Sequence, residues 1–247
     1  MGKSHCFGKA QIYWGDASDG IQGALPEFWE QNQMATQVIK KQMGARQLVL
    51  LKQVHGTEGH VINPSDRDLI LFEQEGDYLI ADLPGVVIGV LTADCVPLVI
   101  VDKNSTVVAV VHAGWRGSVA GIVREVVGRL QREFGIAPVD LCCWFGPCAR
   151  TCCYIVGEEM YQQCRALGVD ERFFVRKNSD LIFDLVGFNA NELEKVGVPK
   201  EQIDTRNALC TICHAQFCSY RREMHPENPV GLSRVGGRNP TFVQLCH

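Results

Sequence analysis

No run of about eighteen uncharged apolar residues occurs in this 247-residue chain, so no membrane span is expected. The nearest candidate, Gly85 to Val101, is interrupted by Asp94. An excess of basic charge is also missing. There are 24 Lys and Arg against 28 Asp and Glu, a net charge of −4 and a sequence pI of about 6.0. Such a balance offers no field to a phosphate backbone, and no nucleic-acid partner is expected. Met1 to Ala10 has no apolar core of the secretory kind, and Cys6 stands where a myristoylation signal needs Ser or Thr. The expected location is cytoplasmic. Internal repeats, low-complexity tracts and Pro- or Ser-rich linkers do not occur. The P-loop, G-x-G-x-x-G and G-x-S-x-G strings are also missing, which removes the commonest nucleotide-binding and serine-hydrolase signatures.

Cysteine, by contrast, is abundant, with 12 residues. Without an export signal the thiols are expected reduced, as core filler, metal ligands or nucleophiles. They cluster at Cys142, Cys143, Cys148, Cys152 and Cys153, and again at Cys210, Cys213 and Cys218. Cys210-Thr211-Ile212-Cys213-His214 spells a haem-attachment string. Haem attachment belongs outside the cytosol, so haem is not expected here. A structural zinc drawn from Cys142, Cys148, Cys152 and Cys210 or Cys213 is an alternative, but paired C-x₂-C spacing is lacking and free thiols are the default reading.

Periodicity outlines the elements. Pro26 to Met43 reads as a helix ending at Gly44, and Gln47 to Val54 as a strand. The runs Val86–Leu91, Val96–Val101 and Val107–Val111 are continuous in Val, Ile and Leu, the mark of strands buried on both faces of a central sheet. Ser118 to Phe134 reads as one long helix with Ser118 as N-cap and Gly135 as stop. Val139–Phe145 reads as a strand, Glu158–Ala166 and Asn189–Lys195 as helices, with short strands near Ile203 and Phe242. Strands and helices mix without strict alternation. The expected class is α+β (mixed α/β), a single domain over residues 1–247 with a mixed sheet flanked by helices.

Three strand ends carry reactive side chains: Lys52-Gln53-Val54-His55-Gly56, Thr92-Ala93-Asp94-Cys95-Val96-Pro97 and Val111-His112-Ala113-Gly114-Trp115-Arg116-Gly117. If those strands are neighbours, His55, Cys95 and His112 converge. Two imidazoles and a thiolate leave a metal one open position, as catalytic zinc sites do. A lone His at a strand end is more often a hydrogen-bonded polar residue than a ligand, and a lone Cys in a Val-rich run is more often core; the three together point to a site. Gly114 and Gly117 lead into a helix, where free backbone N–H groups and Arg116 can meet an anion such as phosphate. Gln53 is a candidate substrate contact beside them. Cys95 activated by His112 as a covalent nucleophile is the competing role.

These strings resemble the signatures of the YfiH family, also called the laccase-domain or multicopper polyphenol oxidoreductase family. The likeness extends to Gly76-Asp77, Gly146-Pro147-Cys148, Cys153-Tyr154, Val156-Gly157-Glu158-Glu159, Asp184-Leu185 with Asn189, Cys210-Thr211 and Ser219-Tyr220-Arg221-Arg222. The resemblance implies a YfiH-like fold of the CNF-like cysteine-hydrolase type. It also implies a zinc site at His55, Cys95 and His112, and phosphorolysis of adenosine, inosine or methylthioadenosine with accompanying adenosine deamination. Purine nucleoside and phosphate are then the partners, with the chain a monomer or small homo-oligomer. The family is also linked to editing of peptidoglycan precursors by an amidase and to polyphenol oxidation, and a silent partner-binding protein is a further alternative. Copper fits less well: there are seven histidines and no His-x-His pair, and Met1, Met34, Met43, Met160 and Met224 lie far in sequence from the three ligands. The chain departs from the family at Gln33, where an Arg is usual, and in a longer loop between Arg222 and Gly237-Arg238.

Overall fold

The computed structural model describes residues 2–22, 29–63, 74–224 and 236–246. Its strands are β1 (Lys3–Phe7), β2 (Ala10–Trp14), β3 (Gln47–Val49), β4 (Gly59–Ile62), β5 (Tyr78–Ala81), β6 (Val86–Thr92), β7 (Val96–Asp102), β8 (Val108–Ala113), β9 (Leu141–Phe145), β10 (Ile155–Val156), β11 (Phe174–Lys177), β12 (Asp180–Phe183), β13 (Ile203–Asp204) and β14 (Asn239–Leu245). The helices are α1 (Trp29–Gln42), α2 (Trp115–Ala120), α3 (Ile122–Phe134), α4 (Glu158–Ala166), α5 (Leu185–Lys195) and α6 (Tyr220–Glu223). Instead of one central sheet there are two large mixed ones, ordered β1-β2-β14-β6-β3 and β13-β9-β7-β8-β5-β4, with a small sheet β10-β12-β11 beside them. The class is mixed α/β, as the sequence pattern predicts.

The continuous apolar runs are buried on both faces because each large sheet lies between two layers. In β7, Val99 and Val101 face Ile12, Ile88, Val90 and Val243 of the five-stranded sheet. Leu98 and Ile100 face the other way, onto Ile122, Val123, Val126 and Leu130 of α3. On the far side of the five-stranded sheet, Ile39 and Met43 cover Leu48, Val87 and Phe242. The layers therefore run helix, sheet, sheet, helices. Every residue of β6, β7 and β8 is buried, and burial of their branched side chains contributes hydrophobic stabilisation on both faces.

Three boundaries differ from the sequence reading. The helix assigned to Ser118–Phe134 is two helices, broken at Gly121 in the left-handed conformation with φ 102. Only glycine adopts that conformation without steric cost. Gly114 occupies the N-cap, whereas Ser118 is buried inside α2 and accepts a hydrogen bond from Asn189 Nδ2 of α5 at 2.9 Å. The strand beginning at Gln47 stops at Val49, and the chain then bends toward the site. Helix α5 starts four residues early, at Leu185, because the Asp184 side chain caps it by accepting from Gly187 N. Gly135 closes α3 as predicted. Residues 23–28, which include the predicted helix start at Pro26, and the long loop at 225–235 lie outside the described residues, as does the Gln33 side chain.

Candidate active site

Two of the three reactive side chains sit at or beside a residue in the left-handed conformation, and the third projects from a regular strand. Cys95 lies in the turn that carries the backbone from β6 in one sheet to β7 in the other. Its predecessor Asp94 has φ 84, a conformation that costs a non-glycine residue energy unless its surroundings hold it. They do: the Asp94 carboxylate accepts from Thr211 Oγ1 at 2.6 Å and from Arg221 N at 2.7 Å, while its carbonyl accepts from Ala149 N at 2.9 Å. His112 projects from β8, whose neighbour is β7, with Pro97 opposite it. His55 arrives from a loop after β3, an edge strand of the other sheet, and has φ 63. The three strands are therefore not all neighbours. Convergence is completed by a loop crossing between the sheets.

Asp77 fixes that loop. Its carboxylate is fully buried and accepts backbone N–H groups from Gly56 at 2.6 Å, His55 at 2.9 Å and Val54 at 3.3 Å. The same carboxylate receives His112 Nδ1 at 2.7 Å, and the Asp77 carbonyl accepts from His112 N at 2.7 Å. One side chain thus orients two of the three candidate ligands and directs His112 Nε2 toward Cys95, the arrangement that ligating histidines favour. The His55 and His112 rings meet edge to face at 4.7 Å between centroids. The ligand atoms of His55, Cys95 and His112 all lie within 4.8 Å of one another.

The electrostatics follow from this packing. Burial pushes the Cys95 thiol up, but the charge and hydrogen bond of His112, with those of His55, outweigh it and bring the group down to about 6. Burial opposes charge on His112 as well, yet the Cys95 thiolate and the Asp77 carboxylate push it up to about 9. For Asp77, burial is overcome by the His112 hydrogen bond and charge and by the amides of the His55 loop, which hold it below the usual carboxylate range. Without a metal, the site is a thiolate–imidazolium pair backed by a carboxylate. Two imidazoles and a thiolate also form a donor set suited to a tetrahedral ion with one open position.

The candidate ligands line a cavity of about 410 Å³. Gln53 lines it too, but both ends of its amide are committed to the backbone of Leu91, each at 2.8 Å, so it ties the His55 loop to β6. Gly114 and Gly117 are sites of close approach. A Cβ on Gly114 would lie 2.9 Å from His55 Cδ2 and 3.1 Å from Cys95 Sγ, and one on Gly117 would lie 2.6 Å from the Gly56 carbonyl. Arg116 is exposed at the rim with its guanidinium 4.5 Å from the Trp115 ring centre. Arg221 and Arg238, with Tyr154 and Tyr220, complete the wall. Residue type offers Trp115, Tyr154 and Phe145 as aromatic partners for a base; Trp115 and Tyr154 line the cavity and Phe145 is buried in the core, while Asp77, Arg221, Arg238 and Tyr220 were not selected by motif chemistry. Asp77, Tyr220 and Arg221 have a sequence signal only in the family strings Gly76-Asp77 and Ser219-Tyr220-Arg221-Arg222, and Arg238 lies in none of them.

A family model described as "Multi-copper polyphenol oxidoreductase laccase" matches residues 29–232. A purine nucleoside phosphorylase of Clostridium acetobutylicum is 29% identical over 223 residues, covering 87% of this chain and 87% of that protein. A protein named adenosine deaminase RL5, from an unknown prokaryotic organism, is 36% identical over 184 residues, covering 71% of this chain and 70% of its own. The crystal structure of YlmD from Geobacillus stearothermophilus superposes with a TM-score of 0.82 at 25% identity, over 98% of this chain and 93% of that one.

Proposed function

This chain belongs to the multi-copper polyphenol oxidoreductase laccase family, and we propose that it is a zinc-dependent purine nucleoside phosphorylase that also deaminates adenosine. The observation that carries the reading is the placement of His55, Cys95 and His112 in the floor of a cavity whose rim holds Arg116, Arg221 and Arg238. Relatives named purine nucleoside phosphorylase and adenosine deaminase support it. Adenosine, inosine and methylthioadenosine are the proposed nucleosides and the cytoplasm the proposed location. Among the described residues no helix is long and apolar enough to cross a membrane.

The donor set fits zinc better than blue copper, because no methionine lines the cavity among the described residues to act as a weak axial ligand. A bound zinc ion supplies Lewis acidity at the cavity floor. The chain's own residues do the rest. Arg116 and the guanidinium nitrogens that Arg221 and Arg238 do not spend on the carbonyls of Ile155, Gly236 and Gly237 offer cationic N–H donors to phosphate, and a phosphate so held is presented to the sugar C1′. An oxygen of phosphate forms the new bond to C1′ while the glycosidic C–N bond breaks, and the purine leaves with the electron pair and takes up a proton. Tyr154, above which Arg221 lies at 5.6 Å from the ring centre, gives the base an aromatic wall. Asp77 keeps His112 in one tautomer and orientation throughout.

Chromatography of each nucleoside with and without phosphate tests this. Base and sugar 1-phosphate are expected only when phosphate is present. Base release that continues undiminished without phosphate replaces phosphorolysis with hydrolysis. A second reading rests on one observation, the Asp77–His112–Cys95 chain, which has the order of orienter, base and nucleophile in cysteine hydrolases. If no nucleoside turns over, an amidase acting on peptidoglycan precursors takes first place, and covalent labelling of Cys95 by substrate is then expected.

A further inference from the structure

Four other thiols converge away from the cavity floor. Cys152, Cys153, Cys210 and Cys213 place all their sulfurs within 4.8 Å of one another, and Cys152 and Cys213 are 3.9 Å apart. Tetrahedral zinc with Zn–S bonds of about 2.3 Å sets its sulfurs about 3.8 Å apart, so the cluster is already close to that geometry. No other combination of the clustered cysteines does this. Cys142 packs between the two large sheets, Cys143 faces α3, and Cys148 is buried in the helix-side core.

Backbone N–H groups of Cys213 and Arg150 bond to the Cys210 sulfur. Such N–H···S bonds are the outer support that orients metal-binding thiolates. Arg222 grips the turn that carries Cys210 and Cys213, donating to the carbonyls of Thr211 at 2.7 Å, Ile212 at 2.9 Å and Phe217. Its positive charge lies beside the segment where four thiolates around a divalent ion would leave two negative charges. Arg150 donates to the Ala208 carbonyl at 2.6 Å and ties the second turn to the first.

We propose that Cys152, Cys153, Cys210 and Cys213 form a structural Zn²⁺ site, separate from the one at His55, Cys95 and His112. Binding replaces four S–H protons, which leave to solvent, and involves no redox change. Four protein ligands close the coordination sphere, so this ion holds structure and meets no substrate. What it holds is the cavity wall. Cys153 precedes Tyr154, and Cys210 precedes Thr211, whose hydroxyl supports the strained Asp94 next to Cys95. The ion would clamp together the two turns on which the Cys95 turn rests.

Native mass spectrometry and elemental analysis of the full chain, purified with reductant and without chelator and then titrated with zinc, test the assignment. Two zinc ions per wild-type chain are expected, one in Cys95→Ala and one in Cys213→Ser. A Cys95→Ala chain that takes no ion, or a Cys213→Ser chain that keeps as many ions as the wild type, overturns it. Should Cys213→Ser fail to fold, cobalt loading of Cys95→Ala decides. That variant keeps only the four-thiolate site, so a strong thiolate-to-cobalt charge-transfer band is expected, and its absence overturns the proposal. A Cys152–Cys213 disulfide in protein kept under reductant also overturns it, in favour of a redox pair.

Discussion

The two clusters differ in how the chain assembles them. His55, Cys95 and His112 come from three distant segments, use mixed donors and open onto a cavity. The four cysteines come from two short turns, use one donor type and do not line that cavity. Mixed donors with an open position suit chemistry, whereas four thiolates in a closed sphere suit structure. The clusters are nevertheless coupled, because the Asp94 carboxylate that supports the Cys95 turn is held by Thr211, a residue of the cysteine turn. In the first cluster the outer support is a buried carboxylate. In the second it is backbone amide.

The largest expected effect separates the two outright. His112→Ala should remove one zinc ion and lower nucleoside turnover by about a thousandfold or more, the several kcal/mol a bound Lewis acid contributes. The cysteine cluster should keep its ion. Full activity with one ion missing would place the chemistry elsewhere, and kinetics with paired metal analysis reads both outcomes.

Thiol reactivity in chelator-treated protein sharpens the contrast. Cys95, at about 6, is a thiolate at pH 7, whereas burial and then hydrogen bonding to Cys210 push Cys152 up to about 11. After the lower intrinsic nucleophilicity of a low-pKa thiolate is counted, Cys95 should alkylate on the order of 50-fold faster, although Cys152 is the more exposed. The sign is testable. Lowering pH through 6 protonates Cys95 and should collapse its rate, as peptide mass mapping of iodoacetamide-treated protein would show. Faster labelling at Cys152 would refute the ion pair with His112.

Asp77→Asn should weaken metal affinity and activity by about 10- to 100-fold, the usual cost of losing a carboxylate behind a ligating histidine. The carboxamide cannot accept from all three amides of the His55 loop while still bonding His112. Competition with a chromophoric chelator measures the first effect, and an unchanged affinity would show that the loop amides alone hold the histidines. The smallest effect expected is that of Gly114→Ala. Its methyl would press on His55 and Cys95, at about 1–3 kcal/mol for an overpacked contact, and should lower kcat together with a melting-temperature drop of several degrees. A large loss of stability without loss of kcat would show that the crowding is relieved in the backbone.

Much of the site was legible because strong ligands at the ends of Val- and Ile-rich runs are unusual. His55, Cys95 and His112 could be selected from residue type and context alone. Asp77 could not, since a single carboxylate before a strand has no periodicity or spacing to mark it, and its role exists only once three amides and an imidazole surround it. Gln53 shows the reverse. Its type suited a substrate contact, and only the folded chain reveals that Leu91 consumes both ends of its amide. The break at Gly121 was missed because the apolar stripe of α3 continues the pattern of α2, and a single left-handed glycine leaves that pattern intact.

By itself the sequence determined which strands are buried on both faces, where α3 and α4 end, and which residue types stand ready for metal or nucleophilic chemistry. These are local properties, set by side-chain branching, apolar spacing and the conformational freedom of glycine. Tertiary structure alone decided that the strands divide between two stacked sheets. It also decided that the His55 loop crosses between those sheets, and that cysteine pairs 57 to 61 residues apart meet as one cluster. The physical reason is that convergence depends on sheet order and on hydrogen bonds between distant segments. Neither leaves a periodic trace in the residues that end up in contact.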